Sequence, residues 1–295
     1  AFGSRYDLGL TLFYTTSLIF TGLSVCIAFH GGLFNIGAEG QLNLACVLSA
    51  CTGVFLQNQF PDLSPSLAIT LILFVGLLGA SLWGFIPGWL KSYRQSHEVI
   101  VTMMMNFVAA AIASYLTLEM FRSQESQNPE TQAIDSKFLF KNFDFVQKFF
   151  TDSPVNLSLL FAIILAVALY FFLYRSHWGF KLRAAGLNSE TAEFSGIQSK
   201  KLRMYSMVAA GLLAGFVATN EILGSAGKYR IGFSADYGFV GIAVALLARN
   251  NPLGILLSAF LFGVLQKGSS DLDIETQSIT RDFARIMQAI IILSV

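Results

Sequence analysis

GGLFNIGAEGQLNLA, residues Gly31–Ala45, carries four glycines, two asparagines, Gln41 and the ionisable Glu39 in the middle of a strongly apolar region. Before it runs LTLFYTTSLIFTGLSVCIAF (Leu10–Phe29), and after it the apolar pattern resumes as far as Phe55. Hydrocarbon does not tolerate irregular backbone or a carboxylate unless protein or a water-filled cavity surrounds them. The stretch therefore predicts a broken helix inside a membrane bundle.

The rest of the chain agrees. Its 295 residues are 54% hydrophobic and 13% charged, with a mean hydropathy of +0.61. Soluble domains carry about 25% charge. Apolar runs predict membrane helices at 10–29, 33–57, 66–90, 97–118, 156–175, 204–223, 236–248, 253–267 and 282–295. The expected class is an all-α polytopic membrane protein forming one transmembrane domain over residues 1–295. A first repeat covers about 10–118 and a second about 204–295. The short runs 236–248 and 253–267 follow the glycine-rich GSAGKYRIGFSADYG, an irregular counterpart of Gly31–Gly40 in the other half. Loop charges place residues 1–8 outside, which raises the expectation of a further helix upstream, and the abrupt end raises that of a short missing tail.

Charge sets the orientation. Arg175–Arg203 holds six basic residues against Glu190 and Glu193, whereas Arg122–Pro154 holds four basic against five acidic. Positive loops stay cytoplasmic. The segment 176–203 is therefore expected inside and the loop 122–155 outside, with Lys91 and Arg94 also falling inside. The net charge of +1 gives no electrostatic case for nucleic acid. The three cysteines lie in apolar runs as small buried residues.

Asn35, Glu39 and Asn43 are spaced i, i+4, i+8, so on a helix they form one polar stripe, with Gln41 pointing elsewhere. That stripe lines an aqueous path or, alternatively, knits helices together. Glu98, Thr102 and Asn106 repeat the spacing, and Asn106 is the deeper candidate for the path. Gly76, Ala80, Gly84 and Gly88, with Gly211 and Gly215, predict close helix packing. In FKLRAAGLNSETAEFSGIQSKK, Asn188 or Ser189 suits an N-cap, Glu190 and Glu193 the early turns, and Gly196 the stop. So short a helix needs something to dock on.

Catalytic signatures are missing from the sequence. The pair Gly227–Lys228 is followed by Tyr229, not by the Ser or Thr of a phosphate-binding loop, and His30, His97 and His177 have no metal-site spacing. An ion-coupled carrier using Glu39, Glu119 or Glu221 is a rival reading, but such a carrier needs no capped cytoplasmic helix. A structural scaffold fits an interior carboxylate poorly.

GLFNIGAEGQLNLA, HEVIVTMMMNFVAA, GFKLRAAGLNSETAEFSGI and GFVGIAVALLARNNPLGILLSAFLFGVL together resemble the permease subunits of bacterial ABC importers. The likeness is to the nucleoside and simple-sugar branch, related to the ribose and branched-chain amino acid permeases. It spans the chain from about residue 8, except Arg122–Pro154. Phe194 stands where tyrosine is common, and Ala248–Arg249 where a glycine is frequent. The resemblance implies a single permease domain over residues 1–295 with the type II importer fold, ten helices in inverted repeats, moving nucleosides, or alternatively a simple sugar, by alternating access. It implies a path near Asn35, Glu39, Asn43 and Asn106. Gly186, Asn188, Glu190, Glu193 and Gly196 would belong to the coupling helix, Gly186–Ile197. ATP and magnesium would sit on a partner ATPase, with no cofactor in this chain. Further implied partners are a second, non-identical permease and an extracytoplasmic binding protein or lipoprotein. The latter would dock on 122–154 and on Gly268–Thr280. The implied location is the bacterial inner membrane.

Overall fold

The computed structural model describes residues 3–124, 126–140, 150, 153–234, 236–275, 286, 287 and 290. Helix α1 (Arg5–His30) begins at Ser4, whose hydroxyl accepts the Asp7 amide at 3.1 Å. Most of its length is buried, Thr11, Thr15, Thr16, Ser17, Thr21 and Ser24 included. A helix without an apolar stripe belongs at the centre of a bundle. Its hydroxyls are satisfied within the helix or by neighbours: Thr15 donates to the Thr11 carbonyl at 2.8 Å and Thr16 to that of Leu12 at 2.8 Å.

After α1 come α2 (Ala38–Gln59), α3 (Pro65–Arg94), α4 (Glu98–Tyr115) and α5 (Ser158–Arg175). Then come α6 (His177–Leu187), α7 (Ser189–Phe194), α8 (Ser199–Gly215), α9 (Tyr237–Leu247) and α10 (Pro252–Glu275). Helix α4 runs on into a π turn, Leu116–Met120, and the chain beyond α8 forms a π-helical segment, Thr219–Ala226. Among the described residues, seven helical stretches are long and apolar enough to cross a membrane, and Tyr237–Leu247 is a shorter apolar helix. Those eight answer to eight of the nine expected spans. The ninth, 282–295, lies almost wholly outside the described residues.

The small residues of α3 work as the sequence predicts. A methyl on Gly88 would meet Met204 and Met207 of α8, and one on Gly211 would meet the Ala80 backbone. Close approach of backbones supplies the dispersion contact that lipid-facing apolar groups cannot. The outer faces of α3, α4 and α5 present Phe74, Leu82, Phe107, Ile164 and Phe171, as a bilayer requires.

Three boundaries differ from expectation. The helix expected at 33–57 starts at Ala38, because Gly31–Gly37 is a non-helical entry with Gly32 at φ 72°. The run expected at 253–267 continues to Glu275 and is not a short element. Its polar end is stabilised by Lys267, which pairs with Asp7 of α1 at 2.8 Å and with Asp271 one turn on. Gly268–Glu275 is consequently helix rather than outer loop, and 276–280 lie outside the described residues. Finally, the segment 176–203 holds two helices, since Ser176 caps α6 by accepting the Gly179 amide at 3.0 Å.

Candidate functional site

The broken stretch and its counterpart meet. Helix α2 runs from Ala38 toward the end of the bundle where Gln57 accepts the Asp135 amide at 2.7 Å. Helix α9 runs from Tyr237 toward the opposite end, where the Asn250 carbonyl lies 3.0 Å from Cys26 Sγ. Their N-termini touch. Glu39 Oε2 accepts the Gly238 amide of α9 at 2.7 Å, and Oε1 accepts the Ser234 hydroxyl and the Asn43 side-chain amide, the latter at 3.0 Å. Glu39 thus acts as an N-cap supplied by another helix, placing a carboxylate at the positive end of α9 and satisfying orphan donors. A Cβ at Gly238 would fall on the Glu39 backbone, so only glycine allows this approach. Asn43 extends the link by accepting the Tyr229 hydroxyl at 3.0 Å.

Asn35 does not share that face. It sits in the entry before α2, is fully buried, accepts the Gly37 amide at 3.0 Å and donates to Gln41 at 2.9 Å. The i, i+4, i+8 stripe is therefore corrected to a Glu39–Asn43 pair, because Asn35 is not helical, and Gln41 turns toward Asn35 rather than away. Asn106 of α4 clamps the same turn, accepting the Gly40 amide at 2.9 Å and donating to the Ile36 carbonyl at 3.0 Å. All four predicted residues gather around the start of α2, with Asn35 and Asn106 holding backbone.

A second buried carboxylate flanks α9. Glu221, in the π-helical segment, accepts the Ser17 hydroxyl at 2.8 Å and that of Tyr237. Asn220 beside it donates to Ser17 Oγ at 2.9 Å and to the Phe13 carbonyl at 3.0 Å. Glu221 faces a cavity of about 290 Å³ whose walls include Phe13, Tyr14, Phe233 and Tyr237. Glu130, Lys228 and Arg230 form its rim. The rim is braced by Thr131 donating to the Tyr229 carbonyl at 2.9 Å, Ile231 to that of Pro129 at 3.1 Å, and a Lys228–Glu130 ion pair at 2.8 Å. Lys228 holds the Glu130 carboxyl below its usual range.

The coupling candidates lie at the far end of the bundle. Asn188 caps α7, its side-chain oxygen accepting the amides of Glu190 and Thr191 at 3.0 and 3.1 Å. Gly196, at φ 78°, stops the helix, with Ile197 donating back to the Ala192 carbonyl at 2.9 Å. Leu187 and Phe194 bracket this helix at 89% and 93% exposure. Gly186 belongs to α6 rather than to α7 and abuts His30 and Gly32, where a side chain would strike backbone.

A helical bundle with no phosphate loop, broken at two meeting helix starts and carrying a capped, apolar-tipped surface helix, has the parts of a translocation subunit. The profile of the branched-chain amino acid transport system/permease component family matches residues 8–295. The chain belongs to this family.

This permease is 35% identical over 298 residues to the guanosine ABC transporter permease protein NupP of Bacillus subtilis, covering 100% of this chain and 82% of that one. It is 34% identical over 273 residues to the nucleoside ABC transporter permease protein NupB of Lactococcus lactis, covering 91% and 74%. A solved inward-facing structure of a metal-chelate type ABC transporter superposes with a TM-score of 0.51 at 16% identity, over 98% of this permease and 85% of that chain. That likeness concerns the fold. Sequence reasoning missed Tyr229, Ser234 and Tyr237 and assigned Glu221 only to an ion-coupled rival. An ionisable residue inside an apolar run was the available signal for Glu221. The tyrosines had none, because their role depends on a fold-back of the 227–236 loop.

Proposed function

We propose that this permease is the transmembrane subunit of an ATP-driven importer of nucleosides in the cytoplasmic membrane. The observation that carries the ATP coupling is α7, a capped two-turn helix tipped by exposed Leu187 and Phe194, which the described residues leave uncovered. Apolar side chains on a short helix that cannot stand alone favour a groove on another protein. A separate ATPase is the partner this reading requires, with ATP and magnesium held there. The nucleoside substrate is supported by the names of NupP and NupB. A second permease and an extracytoplasmic binding protein complete the assembly, the latter docking beside residues 122–140.

Alternating access needs a joint that can take two arrangements. The Glu39–Gly238 contact between the starts of two oppositely directed helices supplies one, and Asn43 carries it to Tyr229. In this reading, Asn35 and Asn106 keep the broken turn rigid while Glu39 and Asn43 change partners beside the path. The test is uptake by the permease reconstituted with its ATPase and binding protein. Guanosine uptake that depends on ATP supports the reading. ATP-dependent uptake of glucose but of no nucleoside would replace the substrate class, and uptake driven by an ion gradient without the ATPase would replace the mechanism.

A further inference from the structure

We propose that the cavity over Glu221 is a nucleoside-binding site within this single subunit, an inference that rests on the nucleoside reading above. Its volume, about 290 Å³, is at the small end of ligand pockets, which run from roughly 300 Å³ upward. One nucleoside is of a size to occupy such a space.

The walls and floor divide the recognition chemistry. Phe13 and Tyr14 come from α1, and Phe233 and Tyr237 from the 227–236 loop and the start of α9. Four aromatic rings in the lining suit a planar base, which every nucleoside presents. At the floor, Glu221 is fixed by Ser17 and Tyr237 rather than by a cation. A carboxyl group has more acceptor capacity than those two hydroxyls consume, leaving oxygen lone pairs for the N–H edge of a base. A base edge offering adjacent N–H donors, as guanine does, matches that acceptor best. At the rim, Ser225, Lys228 and Arg230 offer donors to the hydroxyls of a ribose.

The site is tied to the moving joint. Tyr237, which holds Glu221, adjoins Gly238, which Glu39 caps. Tyr229 packs edge-on against Phe233 at 5.4 Å between centroids and donates to Asn43. A base entering between Phe233 and Tyr237 therefore presses on both links between the two halves of the chain. That connects occupancy to the contact proposed to rearrange.

The experiment uses the complete importer in lipid nanodiscs carrying Ser225→Cys, a substitution at an exposed rim position. Labelling of the introduced thiol by a charged reagent is followed with and without guanosine, while guanosine uptake is measured in proteoliposomes. The expected result is labelling slowed severalfold by guanosine and not by glucose, with uptake lost after labelling. In Phe233→Ala, KM for guanosine should rise about tenfold, the loss typical of one base-stacking ring. Wild-type uptake of guanosine, with the Ser225→Cys thiol unprotected and an unchanged KM in Phe233→Ala, would overturn the site while leaving the function standing. Absence of nucleoside uptake by the wild-type importer would overturn the underlying reading, and protection by glucose alone would overturn the ligand class.

Discussion

At the scale of the residue, Glu39 is the most constrained polar group in the joint. Three donors from α9, the chain just before it and α2 converge on its oxygens: Gly238, Ser234 and Asn43. Glu39→Leu strands the Gly238 amide and the Ser234 hydroxyl, at about 1–3 kcal/mol for each buried donor left unpaired, while Asn43 keeps the Glu39 backbone carbonyl. The expected outcome is poor assembly, seen as a large fall in the thermal midpoint of the detergent-purified subunit. Glu39→Gln keeps one acceptor and the shape, so it should assemble, lose about 1–3 kcal/mol and transport slowly. Wild-type stability in Glu39→Leu would refute the cap. Glu130 gives a pH-dependent case. Its carboxyl is held low by Lys228, so the pair contributes stability above the ordinary glutamate value and loses it as pH falls through the depressed one. The destabilisation in Lys228→Met should thus be constant at neutral pH and shrink only below about pH 4.3. A difference from wild type that does not change with pH would contradict the pair's contribution.

At the scale of the element, composition made the long helices legible and backbone detail hid the breaks. Runs such as 66–90 and 156–175 are apolar throughout, so periodicity could miss their ends but not their existence. The start of α2 was misplaced because Leu33, Phe34 and Ile36 look helical. Their actual conformation depends on Asn106 and Gln41, which are distant in sequence or on the next turn. The same dependence kept the Glu39–Gly238 contact out of sight, since 199 positions separate the partners. By contrast, α7 was legible because a cap and a stop are local chemistry: Asn188 and Gly196 mark it from sequence alone. Since the exposed ring of Phe194 contributes almost nothing to the fold of the isolated subunit, Phe194→Ala should leave its thermal midpoint unchanged. Capture of the ATPase should weaken by about 2 kcal/mol, or roughly thirtyfold, if the ring is an anchor in a groove. Unaltered capture would move the coupling surface away from α7.

At the scale of the whole molecule, topology follows from charge and the bundle's two ends. Residues 122–140 and α7 lie at opposite ends: Gln57, at the end of α2, meets Ala133 and Asp135, while Gly186, just before α7, meets His30. The exposed-site variants Ser136→Cys and Ser195→Cys should therefore behave oppositely in intact cells. The thiol at position 136 should react with an impermeant reagent, and the one at position 195 should not. The reverse pattern would put α7 where no ATPase can reach it. The central claim is that energy enters this subunit through α7 and drives nucleoside inward. Its most direct test is guanosine uptake by proteoliposomes holding the full importer in which Asn188–Ser195 is replaced by a glycine–serine linker. ATP-dependent uptake should vanish while the permease still folds and inserts. Undiminished ATP-driven uptake through that variant would contradict it.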